Sequence, residues 1–140
     1  MKKILIVNAN YYKNISKKLL LSSKKKLDNK VKLNIIDVPG IYEIPIAIRK
    51  NIKKFDGFVA LGCVIKGKTP HFDLICYSTF NAILNLSINF NKPIGNGIIT
   101  AYNMRQAIQR CKSKTGKKPN KGSEAANAVI SILHNGPKKI

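Results

Sequence analysis

Short apolar runs alternate with longer amphipathic stretches along this chain. The short runs predict buried strands at Ile4–Val7, Lys32–Val38, Gly57–Ile65 and Pro93–Thr100. The stretches between and after them place apolar residues three or four apart, which is the spacing of one helix face. They predict helices at Ile15–Leu27, Glu43–Ile52, Phe72 to about Asn89, Met104–Cys111 and Ser123–Leu133.

The order of these elements predicts the architecture. Strand and helix alternate along the chain and one helix is extra, which favours a parallel α/β sheet with helices on both faces. Ligands of such sheets bind beyond the carboxyl ends of the strands. The segments expected to carry function are therefore Asn8–Tyr12, Asp37–Glu43, Val64–His71 and Thr100–Asn103.

Length and apolar content set the overall class. The chain has 140 residues, of which 44% are hydrophobic, and we interpret residues 1–140 as one domain with its own core. No apolar run approaches the roughly 18 residues that a membrane span needs. The apolar stretch after Met1 is also too short for a signal peptide. We expect a cytoplasmic protein with no membrane partner.

The net charge of +20 raises the question of a nucleic-acid partner. Of the 26 basic residues only Arg49, Arg105 and Arg110 are arginine, whereas recognition of phosphates and base edges favours the guanidinium group. The lysines are spread along a chain that is also rich in Asn and Ile. We therefore expect no specific nucleic-acid partner, and a basic RNA-binding protein is the alternative of a different class.

The three cysteines indicate neither a disulfide framework nor a metal site. Cys63, Cys76 and Cys111 share no CxxC spacing and lie in apolar or helical surroundings. We expect reduced thiols and no bound metal.

The segment from Lys66 to His71 combines a glycine, a hydroxyl, two lysines and a predicted helix start. Thr69 suits the N-cap and Pro70 the first helical position. This pattern fits an anion site, and it also fits an ordinary strand-to-helix turn with solvated lysines. A helix N-terminus favours a neutral imidazole at His71, which could accept a proton, although a lone histidine is often structural.

Two other positions have candidate chemistry. Glu43, one of six carboxylates, follows a strand end and could accept hydrogen bonds from hydroxyls, or it could simply complement a helix dipole. Tyr11 and Tyr12 offer flat faces to a heteroaromatic ring, although half-buried loop tyrosines are common. The second histidine, His134, is expected at the surface.

Six ordered motifs resemble the lumazine synthase family. They are Ile6 to Leu20, Val38–Pro45, Ala60–Phe72, Asn96–Thr100, Gln106-Ala107 and Asn120–Gly122. The second resembles the family motif Val-Pro-Gly-x-x-Glu-Ile-Pro, and the third resembles Leu-Gly-x-Val-Ile-Arg-Gly-x-Thr-x-His-Phe. The resemblance covers nearly the whole chain.

This resemblance implies a flavodoxin-like three-layer sandwich with a four-stranded parallel sheet. It also implies a transferase of riboflavin biosynthesis. Such an enzyme condenses 5-amino-6-(D-ribitylamino)uracil with 3,4-dihydroxy-2-butanone 4-phosphate, giving 6,7-dimethyl-8-ribityllumazine, phosphate and water. Its partners are small-molecule substrates, and it needs neither a metal nor a redox cofactor. Riboflavin synthases of the same fold are the same-fold alternative, and the His-containing loop favours lumazine synthase.

The resemblance also assigns the site residues. His71 would relay protons, and Tyr11 would stack on the pyrimidine. The other substrate-binding residues would be Gly40, Ile41, Glu43, Cys63, Val64, Ile65, Asn96 and Lys121, and the phosphate would be held by Lys68, Thr69 and Arg110. Lys66, Ile41 and Asn96 depart from the family pattern, which usually has Arg, a smaller residue and often an aromatic residue there.

Family members build the pocket between subunits, so Asn96, Arg110, Lys121 and Glu124 would face Tyr11 and His71 across an interface. Because the sequence starts at the first strand and carries a basic linker at Ser113–Pro119, we expect a homopentamer, or a weakly held decamer, rather than a larger shell.

Overall fold

The computed structural model describes residues 1–112 and 120–140. Its strands are β1 (Lys3–Ala9), β2 (Lys32–Val38), β3 (Gly57–Ile65) and β4 (Ile94–Ala101). Its helices are α1 (Lys13–Leu27), α2 (Ile44–Lys50), α3 (His71–Phe90), α4 (Met104–Arg110) and α5 (Lys121–His134). The linker predicted at Ser113–Pro119 lies outside the described residues. None of the helices in the described part of the chain is long and apolar enough to cross a membrane.

The four strands form one sheet in the order β2-β1-β3-β4, and every neighbouring pair is parallel. The predicted parallel α/β sheet is therefore confirmed. Because side chains alternate along a strand, β1 sends Ile4 and Ile6 to one face and Leu5 and Val7 to the other. Helices α1, α4 and α5 cover the first face, and α2 and α3 cover the second.

Glycines bring α5 unusually close to its neighbours. A Cβ on Gly122 would lie 2.5 Å from the carbonyl oxygen of Leu19 in α1. The Ser23 hydroxyl of the same helix donates a 2.7 Å hydrogen bond to the carbonyl of Gly122. In β4, a Cβ on Gly95 would overlap the backbone of Ala125. The absence of side chains at Gly95 and Gly97 lets α5 pack closely against the sheet.

Several predicted boundaries differ from the structure. The helix predicted at Glu43–Ile52 is a 3-10 turn at Ile41–Glu43 followed by α2. The predicted Thr69 cap of α3 is wrong, because the N-cap residue is Pro70 and it is not capped by a side chain. The first helical hydrogen bond of α3 runs from the Leu74 amide to the Pro70 carbonyl, which leaves Thr69 one residue outside the helix.

Candidate active site

The four segments expected to carry function do follow the carboxyl ends of the strands. Since all strands are parallel, these ends lie along one edge of the sheet. The chain leaves β1 for β2 on one side and later returns to β3 on the other side of β1. This reversal of strand order opens a crevice at the edge, where ligands of doubly wound sheets bind.

Tyr11 lies at the start of the crevice, directly after β1. Its side chain is 74% exposed, and its ring meets the Tyr12 ring edge to face at 4.9 Å. The turn is held by the Asn10 amide, which donates to the Val38 carbonyl at 3.0 Å. Tyr11 therefore presents an open ring face from a fixed backbone.

Glu43 ends the 3-10 turn that follows β2. A Cβ on Gly40 would lie only 3.3 Å from the Glu43 carboxylate oxygen Oε1, so the carboxylate lies over the backbone at Gly40. Ile41 points the other way and is buried in the core beside Gly62 of β3. Glu43 also lines a cavity of about 440 Å³ together with Ser78. Gly40 and Glu43 therefore face the crevice, while the buried side chain of Ile41 packs the turn against the sheet.

The turn between β3 and α3 carries Lys68, Thr69 and His71, and all three side chains are exposed. The Lys66 amide donates to the Ala101 carbonyl at 2.9 Å, which joins this turn to the end of β4. The Lys66 ammonium also lies 5.4 Å from the centre of the Tyr102 ring, within cation–π range. His71 is the first residue of α3.

Arg110 lies in a cavity of about 310 Å³ that opens beside this turn. The cavity is lined by Phe72, Thr100, Ala101, Tyr102, Gln106, Gln109 and Arg110. The resemblance places Arg110 across a subunit interface from His71, yet within one protomer Arg110 shares this cavity with Phe72, the residue after His71. Tyr102 and Gln109 had no predicted role, although the spacing of Gln106, Gln109 and Arg110 along α4 puts three polar groups on one helix face.

Asn96 and Lys121 lie away from this group. Asn96 is in the middle of the edge strand β4, and its Oδ1 accepts a hydrogen bond from the Ile98 amide at 3.0 Å. It precedes Thr100 by four residues, or about 13 Å at roughly 3.3 Å per residue. Lys121 begins α5 and forms a 3.5 Å ion pair with Glu124. A single protomer does not bring Asn96 to the edge where Tyr11 and His71 lie.

Cys63, Val64 and Ile65 end β3 beneath the site. Cys63 is only 8% exposed, and burial, followed by the nearby Cys111, raises the pKa of its thiol to about 12. Burial also raises the thiol pKa of Cys76 and of Cys111. All three cysteines are free, as expected, and a protonated buried thiol is a packing group rather than a nucleophile. Val64 and Ile65 are half-buried and pack on opposite faces of the sheet.

Across residues 1–112 and 120–140, no group of three or more His, Cys, Asp or Glu side chains is placed to hold a metal ion.

The fold and site define a class of protein. A parallel sheet with this strand order, a histidine at a helix start on its carboxyl edge and an arginine-lined cavity beside it are features of a flavodoxin-like α/β enzyme. Comparison with known proteins identifies the family. The family model described as 6,7-dimethyl-8-ribityllumazine synthase matches residues 1–135.

Curated relatives agree with the family model. A 6,7-dimethyl-8-ribityllumazine synthase of Campylobacter jejuni is 40% identical over 138 residues, covering 94% of this chain and 88% of the relative. The enzyme of the same name from Bartonella bacilliformis is 42% identical over 135 residues, covering 93% and 87%. That of Afipia carboxidovorans is 38% identical over 139 residues, covering 94% and 83%. This chain belongs to the 6,7-dimethyl-8-ribityllumazine synthase family.

Proposed function

We propose that this chain condenses 5-amino-6-(D-ribitylamino)uracil with 3,4-dihydroxy-2-butanone 4-phosphate to form 6,7-dimethyl-8-ribityllumazine in riboflavin biosynthesis. Family membership supports this function. The structural observation that carries it is the cavity shared by Arg110 and Phe72, because it puts a cation beside the turn that bears His71. The reaction needs both groups, since it eliminates a phosphate and moves several protons.

The phosphate of the butanone substrate binds beside Arg110 in this proposal. A guanidinium group can hold a phosphate through two parallel hydrogen bonds. Lys68 adds a second positive charge, and the Thr69 hydroxyl and the backbone amides of the turn add donors. Together these groups stabilise the departing phosphate, because they bind it more strongly as its charge increases.

His71 is the proton relay. The 5-amino group of the pyrimidine attacks the ketone, and loss of one water gives an imine. Elimination of phosphate then gives an enol that tautomerises to a ketone, and attack by the ribitylamino nitrogen closes the second ring with loss of another water. Each step moves a proton, and an exposed imidazole at the site edge can accept and return it. The sequence of steps balances without a redox cofactor or a metal.

The pyrimidine stacks on Tyr11, and the ribityl chain lies along Gly40, Ile41 and Glu43. The open face of Tyr11 supports the first contact. The Glu43 carboxylate, held over Gly40, can accept hydrogen bonds from ribityl hydroxyls. Val64 and Ile65 meet the ring edge, while Cys63, being buried, supports the floor of the site through packing and its backbone.

The working enzyme is a homopentamer with sites between subunits. Helix α3 has 20 residues, but its apolar side chains Leu74, Tyr77, Leu84 and Ile88 are exposed at alternating three- and four-residue spacing around Asn81. Such a stripe is the surface that a second helix covers in an oligomer. Asn96 and Lys121, remote from His71 in their own protomer, then reach the site of a neighbour.

The direct test is to mix the purified full chain with both substrates and follow lumazine fluorescence. Product formation supports the proposal. A riboflavin synthase would instead convert lumazine alone into riboflavin, and a basic RNA-binding protein would ignore a ribitylaminouracil analogue while binding polyanions with steep salt dependence.

The cytoplasmic location expected from the sequence stays a prediction, which fractionation of the producing cells would check.

A further inference from the structure

A further cavity lies between the start of α1 and helix α4. Its volume is about 720 Å³, within the roughly 300–1,000 Å³ of small-molecule sites. Its lining includes Tyr11, Tyr12, Lys13, Lys17 and Lys18 from the α1 side and Met104 and Ile108 from α4. We call it the α1–α4 cavity. Except for Tyr11, none of its lining residues has a part in the proposed condensation.

One side of the α1–α4 cavity is apolar and aromatic. Met104 and Ile108 lie four residues apart on α4 and are both exposed. Tyr12 lines the same cavity and is half-buried, and burial raises the pKa of its hydroxyl. A thioether, a branched alkyl group and a phenol ring form a surface that favours a flat, weakly polar ligand group such as a heteroaromatic ring.

The other side is cationic and has no compensating acid. Lys13, Lys17 and Lys18 are exposed around the cavity, and its lining includes no carboxylate. The one ion pair among residues 1–112 and 120–140 is that of Lys121 with Glu124. Residues 113–119 contain no Asp or Glu in the sequence. These ammonium groups therefore have no carboxylate to neutralise them.

The position of Lys18 links this charge to α4. Its ammonium acts to lower the pKa of the Cys111 thiol at the end of α4, although burial of the thiol outweighs it. Lys18 lines the same cavity as Met104 and Ile108 of α4, so its side chain lies on the α4 side of its own helix. The positive charge and the apolar surface thus border the same space.

We propose that the α1–α4 cavity binds a nucleotide-sized ligand, with a heteroaromatic ring against Tyr12, Met104 and Ile108 and a phosphate near Lys13, Lys17 and Lys18. Lysines act on phosphate as mobile point charges, so the site selects for charge and flatness more than for phosphate geometry. Tyr11 borders both this cavity and the crevice.

The test measures binding of adenosine 5′-monophosphate (AMP) to the full chain by titration calorimetry, with adenosine and inorganic phosphate as comparison ligands. AMP should bind more tightly than either, because it alone carries both the ring and the charge. The double variant Lys17→Ala/Lys18→Ala should weaken AMP binding by roughly tenfold or more, as expected for the loss of two charged contacts.

A matched control separates a site from the general positive charge. Lys25→Ala/Lys26→Ala removes the same charge from the last turn of the same helix, and it should leave AMP affinity within about twofold. Equal weakening by both double variants would show diffuse attraction to the net charge and overturn the proposal. Loss of AMP binding in Arg110→Ala would place AMP in the cavity lined by Arg110 and would also overturn the proposal. A wild-type chain that binds no AMP would overturn it too.

Binding of AMP in the α1–α4 cavity can be tested independently of the proposed condensation. Lys17 and Lys18 have no part in the chemistry above, so the double variant should retain lumazine formation. If the chain failed to make lumazine but bound AMP through these lysines, the proposed function would fall while the α1–α4 cavity proposal stood.

Discussion

Gly62 of β3 lies directly beneath Ile41 of the 3-10 turn, and a Cβ added at Gly62 would sit 2.7 Å from Ile41 Cγ2. The same Cβ would lie 3.1 Å from the Cβ of Ala9 in β1. No side chain fits between these groups without displacing one of them. The absence of a side chain at Gly62 therefore fixes the height of the turn that carries Gly40 and Glu43 over the sheet.

Gly62→Ala should consequently destabilise the protein and disturb the ribityl contacts. Forcing a methyl group into packed surroundings costs about 1–3 kcal/mol, and here the 3-10 turn is the element that must move. The expected result is a lower unfolding temperature together with a raised KM for the ribitylaminouracil substrate. Thermal denaturation and steady-state kinetics measure the two effects.

Gly67→Ala is the matched control, because a Cβ there meets nothing within 4 Å. It should leave stability nearly unchanged. Gly62→Ala should cost less stability in an Ile41→Ala background than in the wild type, since that background lacks the clashing methyl. If Gly62→Ala alone left the unfolding temperature and the KM unchanged, this account of the turn would be contradicted.

His71→Ala should lower turnover by roughly 10²–10⁴-fold if the imidazole transfers protons during the condensation. The side chain is exposed, so the unfolding temperature should hardly change. His134→Ala, which removes the other histidine from an exposed position at the end of α5, should retain full turnover. An unchanged rate in His71→Ala would remove this residue from the mechanism.

Arg110→Ala should raise the KM for the butanone phosphate far more than the KM for the pyrimidine, because only the former carries a phosphate. Arg105→Ala is a suitable control, since Arg105 is an exposed arginine on the same helix that does not line the cavity. Initial rates with each substrate varied in turn give both constants. Equal changes in the two constants would indicate a disturbed fold or interface instead of a lost phosphate contact.

Ionisation of the Cys63 thiol should lower the free energy of unfolding at alkaline pH. Its thiol pKa rises from 9.0 to about 12 on folding, so the folded state favours the protonated form. The stability from this preference is fully present below pH 9 and is lost as the pH rises toward 12, by about 1 kcal/mol per pH unit. The free energy of unfolding of wild type should therefore approach that of Cys63→Ala between pH 9 and 11, as measured by urea denaturation at a series of pH values. If the difference in unfolding free energy between wild type and Cys63→Ala stayed constant over this pH range, the raised pKa of Cys63 would be refuted.

Leu84→Lys should dissociate the proposed pentamer. Leu84 is 58% exposed in the protomer and lies within the apolar stripe of α3, so a charge there costs nothing in the monomer and is buried in the oligomer. Light scattering should show wild type at five times the 15.6 kDa protomer mass and the variant well below it, with activity lost in parallel. Leu21→Lys alters a leucine of α1 that is 68% exposed and should leave the mass unchanged. A wild-type protein that is active as a monomer would overturn the proposed pentamer.

The sequence by itself determined the elements and their order, because hydrophobic periodicity is a local property of the chain. β3 was predicted with the bounds it has in the structure, and alternation of strand and helix required the parallel sheet. The sheet in turn placed Tyr11, Glu43 and His71 at one edge. Their roles came from the ordered motifs, since each residue alone also had an ordinary structural explanation.

Only the tertiary structure decided how surfaces meet. No local pattern shows that Phe72 and Arg110, separated by β4 and most of α3, line one cavity, or that Gly95 and Gly122 seat α5. The Thr69 cap was wrong because Thr-Pro is a good local signal for a helix start, whereas the actual start depends on which carbonyl receives the first amide. Close approaches, cavities and the unpartnered face of α3 arise from distances between residues far apart in the chain, and periodicity carries no information about those distances.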